Sequence, residues 1–517
     1  MSGSSGDEMK ILEFFLIAIL LLALTAIPVH CQSANESVVE KLNALVEKDK
    51  EGLINATQDL VKIKSVRDVP QAGAPFGEGP AKALNRALQI SSDLGFATTN
   101  LYGYIGYAEY GQGDEYVAVL AHLDVVPEGD GWTYPPYGAE IHDGKIYGRG
   151  AIDDKGPAMA ALYALKAIRD ANLPLGKRVR VIFGCSEETG GPDVEQYLLR
   201  EKEPVSGFTP DAYFPAIYAE KGLMSFDMSK NLTDDISDNI SEEPRGDIRI
   251  ISLQGGTAYN IVPDRAVARI QAADPDQVAA ACDAFAGMTG YNLSAEIAAE
   301  KDGAARTIRI TSLGKAAHGR TPEKGKNAAM QLIAFLATLD MGSAEMSEAI
   351  RFLNASIGME TDGKSFGLVM DDEPSGNLTL CVGLLNATPE RMVLGLNIRY
   401  PVTYSFQDVM GRFNQTIEGT GFVAENWQAN QSPLYYPKDS PLIMTLTRVY
   451  AEQTGRNDSA IAIGGGTYAK EMPNIVASGP MMPGQEEVEH QANEYIAIDQ
   501  LINVTKIYAQ DIYELAK

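Results

Sequence analysis

Six consecutive residues, Tyr116-Val117-Ala118-Val119-Leu120-Ala121, carry no charge and suit a strand buried on both faces. The pattern then changes: Gly156 to Arg169 reads as a helix, and Val179-Arg180-Val181-Ile182-Phe183-Gly184 as a second strand. Strands that alternate with helices build a mostly parallel sheet with helices on both faces. At 517 residues the chain is also longer than one hydrophobic core usually serves. The expected fold is therefore α/β, with a second domain somewhere in the chain.

The texture places that second domain. Beyond Gly222 come shorter strands such as Ile248-Arg249-Ile250-Ile251 and Thr307-Ile308-Arg309-Ile310, joined by polar, Asp-rich connections. From Pro437 the α/β texture returns and ends in a helix around Asp499 to Leu515. The expected organisation is a leader over 1–34, the α/β domain's first part over 35–225, an inserted α+β domain over 226–432, and the α/β domain's second part over 433–517. Within the first part, Ser37 to Ile63 reads as one or two helices.

The leader is the one segment that does not read as globular. Ile11 to Val29 is apolar apart from Glu13 and Thr25, follows Lys10, and gives way to Gln32-Ser33-Ala34-Asn35. That fits a signal peptide or an uncleaved membrane anchor, and no Ala-x-Ala site decides between them. Val29-His30 before Cys31 is a poor match to a lipobox. Twelve Asn-x-Ser/Thr triplets start at Asn35, Asn55, Asn231, Asn239, Asn292, Asn354, Asn377, Asn386, Asn414, Asn430, Asn457 and Asn503. Chance alone gives about three, and such triplets are glycan acceptors only on an extracytoplasmic face. Leader and triplets together predict an extracytoplasmic glycoprotein, secreted or anchored at the cell surface.

A net charge of -26 makes nucleic acid and anionic membrane surfaces poor partners, because their phosphates are repelled. The four cysteines form no CxxC pair, so any metal must be held by imidazole and carboxylate.

Candidates for that role sit at strand exits and helix starts. The strand ending at Ala121 runs into His122-Leu123-Asp124, and residues two apart on an extended segment point the same way. His122 reads either as a metal ligand whose second N–H is taken by Asp124, or as a histidine making an ordinary hydrogen bond at a strand end. Asp153-Asp154 precedes a helix with Pro157 just inside it, where acidic residues serve as caps or as ligands. Glu187-Glu188 follows the second strand. Open α/β sheets build their sites at the carboxyl ends of strands, so these exits can converge. Of the five histidines, His30 lies in the leader and His142 beside the turn pattern Asp143-Gly144, which reads as surface. His122, His318 and His490 sit in polar, Gly-flanked or acidic contexts that a core histidine explains poorly.

Taken in order, Ala121-His122-Leu123-Asp124-Val125-Val126-Pro127, Gly148 to Gly156, Ser186-Glu187-Glu188-Thr189-Gly190, Pro210-Asp211-Ala212, Asn260 to Asp264, Ala317-His318-Gly319, Asn397 to Pro401, Gly464 to Thr467 and Glu489 to Glu494 resemble a known series. It is that of the dinuclear zinc peptidases, which include PepV-like dipeptidases, carnosinase and amino-acid deacylases, and the PepV-like branch is the most similar. The resemblance covers almost everything after the leader. It implies two zinc ions per chain, with manganese or cobalt as substitutes. His122 and Asp211 would hold one, Glu188 and His490 the other, and Asp153 would bridge them, followed by a cis peptide. Two such metals acidify the water between them, so that Glu187 can take that water's proton as general base.

The same resemblance makes the inserted domain a lid. It gives His318 the tetrahedral oxyanion, Arg399 and Asn260 the far end of the substrate, and Gly465, Gly466 and Thr467 a share of that end. The implied reaction is hydrolysis of dipeptides or short peptides. Its rivals are an N-acyl amino acid amidohydrolase or a carboxypeptidase with the same site, and a non-catalytic surface glycoprotein. The implied partners are the peptide substrate and a membrane tether through the N-terminal segment, in a monomer or homodimer.

Overall fold

A computed structural model describes residues 27–232, 248–298 and 307–517. The apolar leader segment around Phe14 lies outside the described residues. Among the described residues no helix is long and apolar enough to cross a membrane.

The chain divides into two compact units. The first runs to Ala216 and resumes over Lys438–Ala460 and Thr467–Lys517; the second is Ile217–Pro437 together with Ile461–Gly466.

In the first unit the sheet order is Ala97–Leu101, Ile105–Tyr110, Arg178–Gly184, Tyr116–His122, Ser206–Thr209 and Ile475–Ala477. The last four strands run parallel, and the first two add an antiparallel edge, so the sheet is mixed with a parallel centre. Every residue of Tyr116–His122 is buried, as its apolar sequence demands. The crossover from this strand to its parallel neighbour Arg178–Gly184 contains helix Lys155–Asp170, which packs with the closing helix Ile498–Ala516 against the sheet. Helices Glu78–Asp93 and Asp193–Leu198 pack against the antiparallel edge. The amino-terminal helical region is two helices, Ile27–Lys48 and Lys50–Val61.

The second unit is an eight-stranded sheet. Its order is Asn292–Ile297, Thr307–Leu313, Arg265–Ala272, Ile248–Gly255, Thr379–Ala387, Arg391–Tyr400, Gly222–Asn231 and Val423–Gln431, all antiparallel. Its core is apolar and draws on the strands and on helices Ala328–Leu336, Ala344–Ser356 and Phe406–Ile417. Ser343 and Ser405 begin the last two helices by accepting the backbone N–H groups of Met346 and Asp408.

Candidate metal centre

The parallel strands deliver the site. His122 ends one strand, Glu187 and Glu188 follow the next, and Asp211 follows Ser206–Thr209. The segment after Ile475–Ala477 carries His490. Asp153 comes from the turn before the crossover helix. The carboxyl ends of adjacent parallel strands thus face one crevice, as the sequence implied.

Asp153 is the hinge of the arrangement. Its Oδ1 lies 2.9 Å from His122 Nε2, and its Oδ2 lies 3.0 Å from His490 Nε2. One carboxylate therefore turns a different oxygen to each of two histidines. Asp211 lies on the His122 side, with Oδ2 at 3.9 Å from Nε2. Glu188 lies on the His490 side, with Oε1 at 3.1 Å. Two sets, His122 with Asp153 and Glu188, and His122 with Glu187 and Asp211, each offer ligand atoms all within 4.8 Å of one another. Glu187 thus stands in the same cluster as the five residues read as ligands. The Asp153–Asp154 peptide is cis. His490 adopts a φ of 61°, in the left-handed region that non-glycine residues seldom enter and that functional sites tolerate.

Asp124 does more than the sequence implied. The His122 ring nitrogen Nδ1 lies 3.0 Å from the Asp124 carbonyl and 3.5 Å from its carboxylate. The carboxylate's closer contacts are the backbone nitrogens of Glu187 and Glu188, which donate to Oδ1 at 3.1 Å and Oδ2 at 3.2 Å. Asp124 therefore orients both glutamates as well as the imidazole.

Four further buried residues escaped the sequence reading. Asp193 Oδ2 accepts the backbone N–H of Cys185 at 2.7 Å, that of Ser186 at 3.0 Å, and the Tyr468 hydroxyl. It pins the start of the Glu187–Glu188 loop. Tyr468 also sets its ring edge-on to His122, with centroids 6.2 Å apart. Glu494 and Arg149 form a buried ion pair at 2.7 Å, and Arg149 further donates to the carbonyls of Gln491 and Glu128 at 3.2 Å. The signal for Arg149 and Glu494 was their place inside the motifs; Asp193 and Tyr468 gave none.

The charge balance asks for cations. Burial pushes the carboxyls of Glu187, Glu188 and Asp211 upward, and the neighbouring carboxylates push them the same way. Burial opposes charge on both histidines, yet hydrogen bonds to Asp153, with Asp124 at His122 and Glu188 at His490, hold them high, His490 at about 12. Burial also works against ionisation of Asp153, but its two histidines outweigh that and hold it below the usual range. Imidazole and carboxylate donors at these separations fit two divalent ions of the zinc type, and bound cations would reverse the strain among the acids.

Asn260, His318, Arg399, Gly465 and Gly466 belong to the second unit, and Thr467 begins the last part of the first. Within the second unit the residues form one patch. The Asn260 carbonyl accepts the Gly319 N–H at 2.7 Å, and Ile261 bridges to His318. A Cβ on Gly319 would stand 2.8 Å from Asn397 Oδ1 and 3.2 Å from the Asn260 backbone, so a side chain there would push on that amide. That same oxygen accepts Arg399 Nε at 3.1 Å, while Arg399 Nη1 donates to the Gly464 carbonyl. Arg399 is 4% exposed, and burial, then the charge of Arg320, lower it to about 10. Among the described residues no carboxylate pairs with it. Thr467 is buried, and its hydroxyl caps the short helix Tyr468–Lys470 by accepting Ala469 N–H. His142 ends strand Glu140–His142, bonds to Glu140 at 2.8 Å and stacks on Tyr134.

Comparison with known proteins agrees with this geometry. The family model described as "Peptidase family M20/M25/M40" matches residues 118–514. "Putative dipeptidase YtjP" of Bacillus subtilis (strain 168) is 40% identical over 475 residues, covering 91% of this chain and 99% of that protein. Human carnosine dipeptidase 1 shares the fold with a TM-score of 0.55 at 17% identity, covering 92% of this chain and 98% of that one. A metallo-carboxypeptidase, Sso-CP2 of Sulfolobus solfataricus, does so with a TM-score of 0.53 at 16% identity, covering 89% and 98%.

Proposed function

The chain belongs to peptidase family M20/M25/M40 and is a metallopeptidase, and from that premise we propose that it hydrolyses dipeptides and other short peptides with two zinc ions. The observation that carries this reading is Asp153, whose two oxygens face two different histidines. His122 and Asp211 would hold one ion, His490 and Glu188 the other, and Asp153 both. When bound, the ions supply Lewis acidity, acidifying a water and polarising the scissile carbonyl.

The chain's own residues do the rest. Glu187, held by its backbone to Asp124, takes the proton of the attacking water and gives it to the leaving amine. Positive charge in the crevice favours the ionised Glu187 that a base requires. The second unit serves as a lid carrying the substrate patch. His318 Nδ1 accepts the Arg320 N–H at 3.1 Å, which puts the proton of a neutral ring on Nε2, the nitrogen that would donate to an oxyanion. Arg399, a buried guanidinium with no carboxylate partner among the described residues, takes the substrate's free carboxylate through two parallel hydrogen bonds, with Asn260 beside it. Gly465 and Gly466 add backbone donors to that end.

The test is a substrate panel. Dipeptides with a free carboxylate should be cleaved, and amidating that carboxylate should cost about as much as Arg399→Met does. Fastest release from N-acetyl amino acids would favour an amidohydrolase, and release of C-terminal residues from longer peptides a carboxypeptidase. Chelation should abolish turnover, with zinc, manganese or cobalt restoring it.

The apolar leader and the abundance of Asn-x-Ser/Thr triplets support an extracytoplasmic location, secreted or anchored. Intact-mass analysis of native protein, which reads cleavage near residue 31 directly, tests it.

A further inference from the structure

The Asn-x-Ser/Thr triplets have no part in the metal chemistry, yet their asparagines differ from the chain's others. Ten of the twelve, all but Asn35 and Asn239, have described side chains, and all ten are exposed. Among the described residues none of their side-chain amides makes a hydrogen bond. Of the ten asparagines outside triplets only six are exposed. Eight of those ten use the side chain structurally. Asn397 bonds Ser225, for example, and Asn474 bonds the Pro204 carbonyl.

Location in loops does not explain the contrast. Asn55, Asn354, Asn414 and Asn503 stand on helices, while Asn231, Asn292, Asn377, Asn386 and Asn430 stand on strands. A helix or strand buries part of its surface, so exposure at each of these positions means that the triplets fall on solvent faces throughout. An amide committed to a hydrogen bond in the fold is less accessible to modification, and among the described residues these ten make none.

We propose that the chain is an N-glycoprotein, carrying oligosaccharides on these exposed asparagines. The donor is a lipid-phosphate-linked oligosaccharide outside the cytoplasm. Asparagine Nδ2 bonds to the anomeric carbon and loses a proton; the carbon–oxygen bond to phosphate breaks, and its electron pair leaves with the lipid phosphate. Thr57 and Thr505, the hydroxyl residues of two triplets, are fully buried, so a transferase that reads the hydroxyl meets them before their helices pack. One consequence concerns the second unit's sheet. Its two terminal strands, Asn292–Ile297 and Val423–Gln431, each carry an acceptor, Asn292 and Asn430. A glycan on each edge keeps both from pairing with another chain.

The experiment is peptide mapping by mass spectrometry on full-length protein purified from the cells that make it. Glycan masses should appear on triplet asparagines and be absent from Asn100 and Asn172, which are exposed but lie outside triplets. Asn457→Gln should remove one glycan mass while leaving dipeptide hydrolysis unchanged, so the outcome does not depend on the catalytic reading. Unmodified peptides at every triplet would overturn the proposal, as would sugar confined to serine and threonine.

Discussion

Glu494 holds Asp153 by its backbone: Oε1 accepts the Asp153 N–H at 3.3 Å and that of Ile152 at 3.1 Å. The other oxygen, Oε2, pairs with Arg149, which also donates to the carbonyl beside His490, that of Gln491. One buried ion pair thus ties the turn of Asp153 to the loop of His490. Groups that orient metal ligands contribute to affinity without touching the metal.

Arg149→Ala strands the buried Glu494 carboxylate, and losing one partner of a buried pair costs about 3–5 kcal/mol. It should also weaken metal binding by roughly 10–100-fold. Denaturant melts and competition with a chromophoric chelator read the two effects. Replacing both residues with methionine should recover much of the stability but little of the affinity. Recovery of both would remove the positioning role.

Asp153→Ala should lose both metals, since its two oxygens lie 2.9 Å and 3.0 Å from the two histidines. Glu187→Gln should keep the metals and lower turnover by about 10²–10⁴. Metal content and kcat, measured on the same preparations, decide the matter. A Glu187→Gln protein emptied of metal would make Glu187 a ligand.

The candidate site residues were legible because chemistry and topology coincide in them: His122, Glu187 and Glu188 sit at the ends of strands whose apolar runs are plain in the sequence. Their supports were not. Arg149 and Glu494 stand 345 positions apart, and Asp193 and Tyr468 stand 275 apart. No local pattern announces such pairings, and the fold alone brings them together. Asp124 reads as the partner of His122, and its carboxylate also accepts the backbone N–H groups of Glu187 and Glu188. Side-chain spacing could suggest the first contact, but only the parallel register of two strands, with His122 opposite Gly184, creates the second.

Asp193 makes stability depend on pH in a defined direction. Burial, partly offset by the Tyr468 hydrogen bond, raises its carboxyl from 3.8 to about 6. Between those values the folded chain binds the proton more tightly than the unfolded chain. The contribution is therefore fully present below 3.8 and is lost as pH climbs through 6. The span is about 3 kcal/mol by linkage. Asp193→Asn cannot titrate, so its destabilisation should be greatest near the acid end and shrink toward neutrality, as denaturant melts across that range would show. A difference that stays constant with pH would refute the assignment.

His318 lies in the second unit, far in sequence from each ligand. If it donates to the oxyanion, it meets charge only as that charge develops, so its removal should lower kcat and leave metal content alone. Losing one such donor typically costs about 10²–10³ in kcat. His490→Ala, by contrast, removes a nitrogen that faces both Asp153 and Glu188 and should empty a metal site. The two histidines are separable by assaying metal and turnover together. His318→Gln offers a further distinction, since its amide can still donate a hydrogen bond and should recover part of the rate that His318→Ala loses. Near-normal hydrolysis by His318→Ala, or loss of zinc to the extent seen in His490→Ala, would exclude the role.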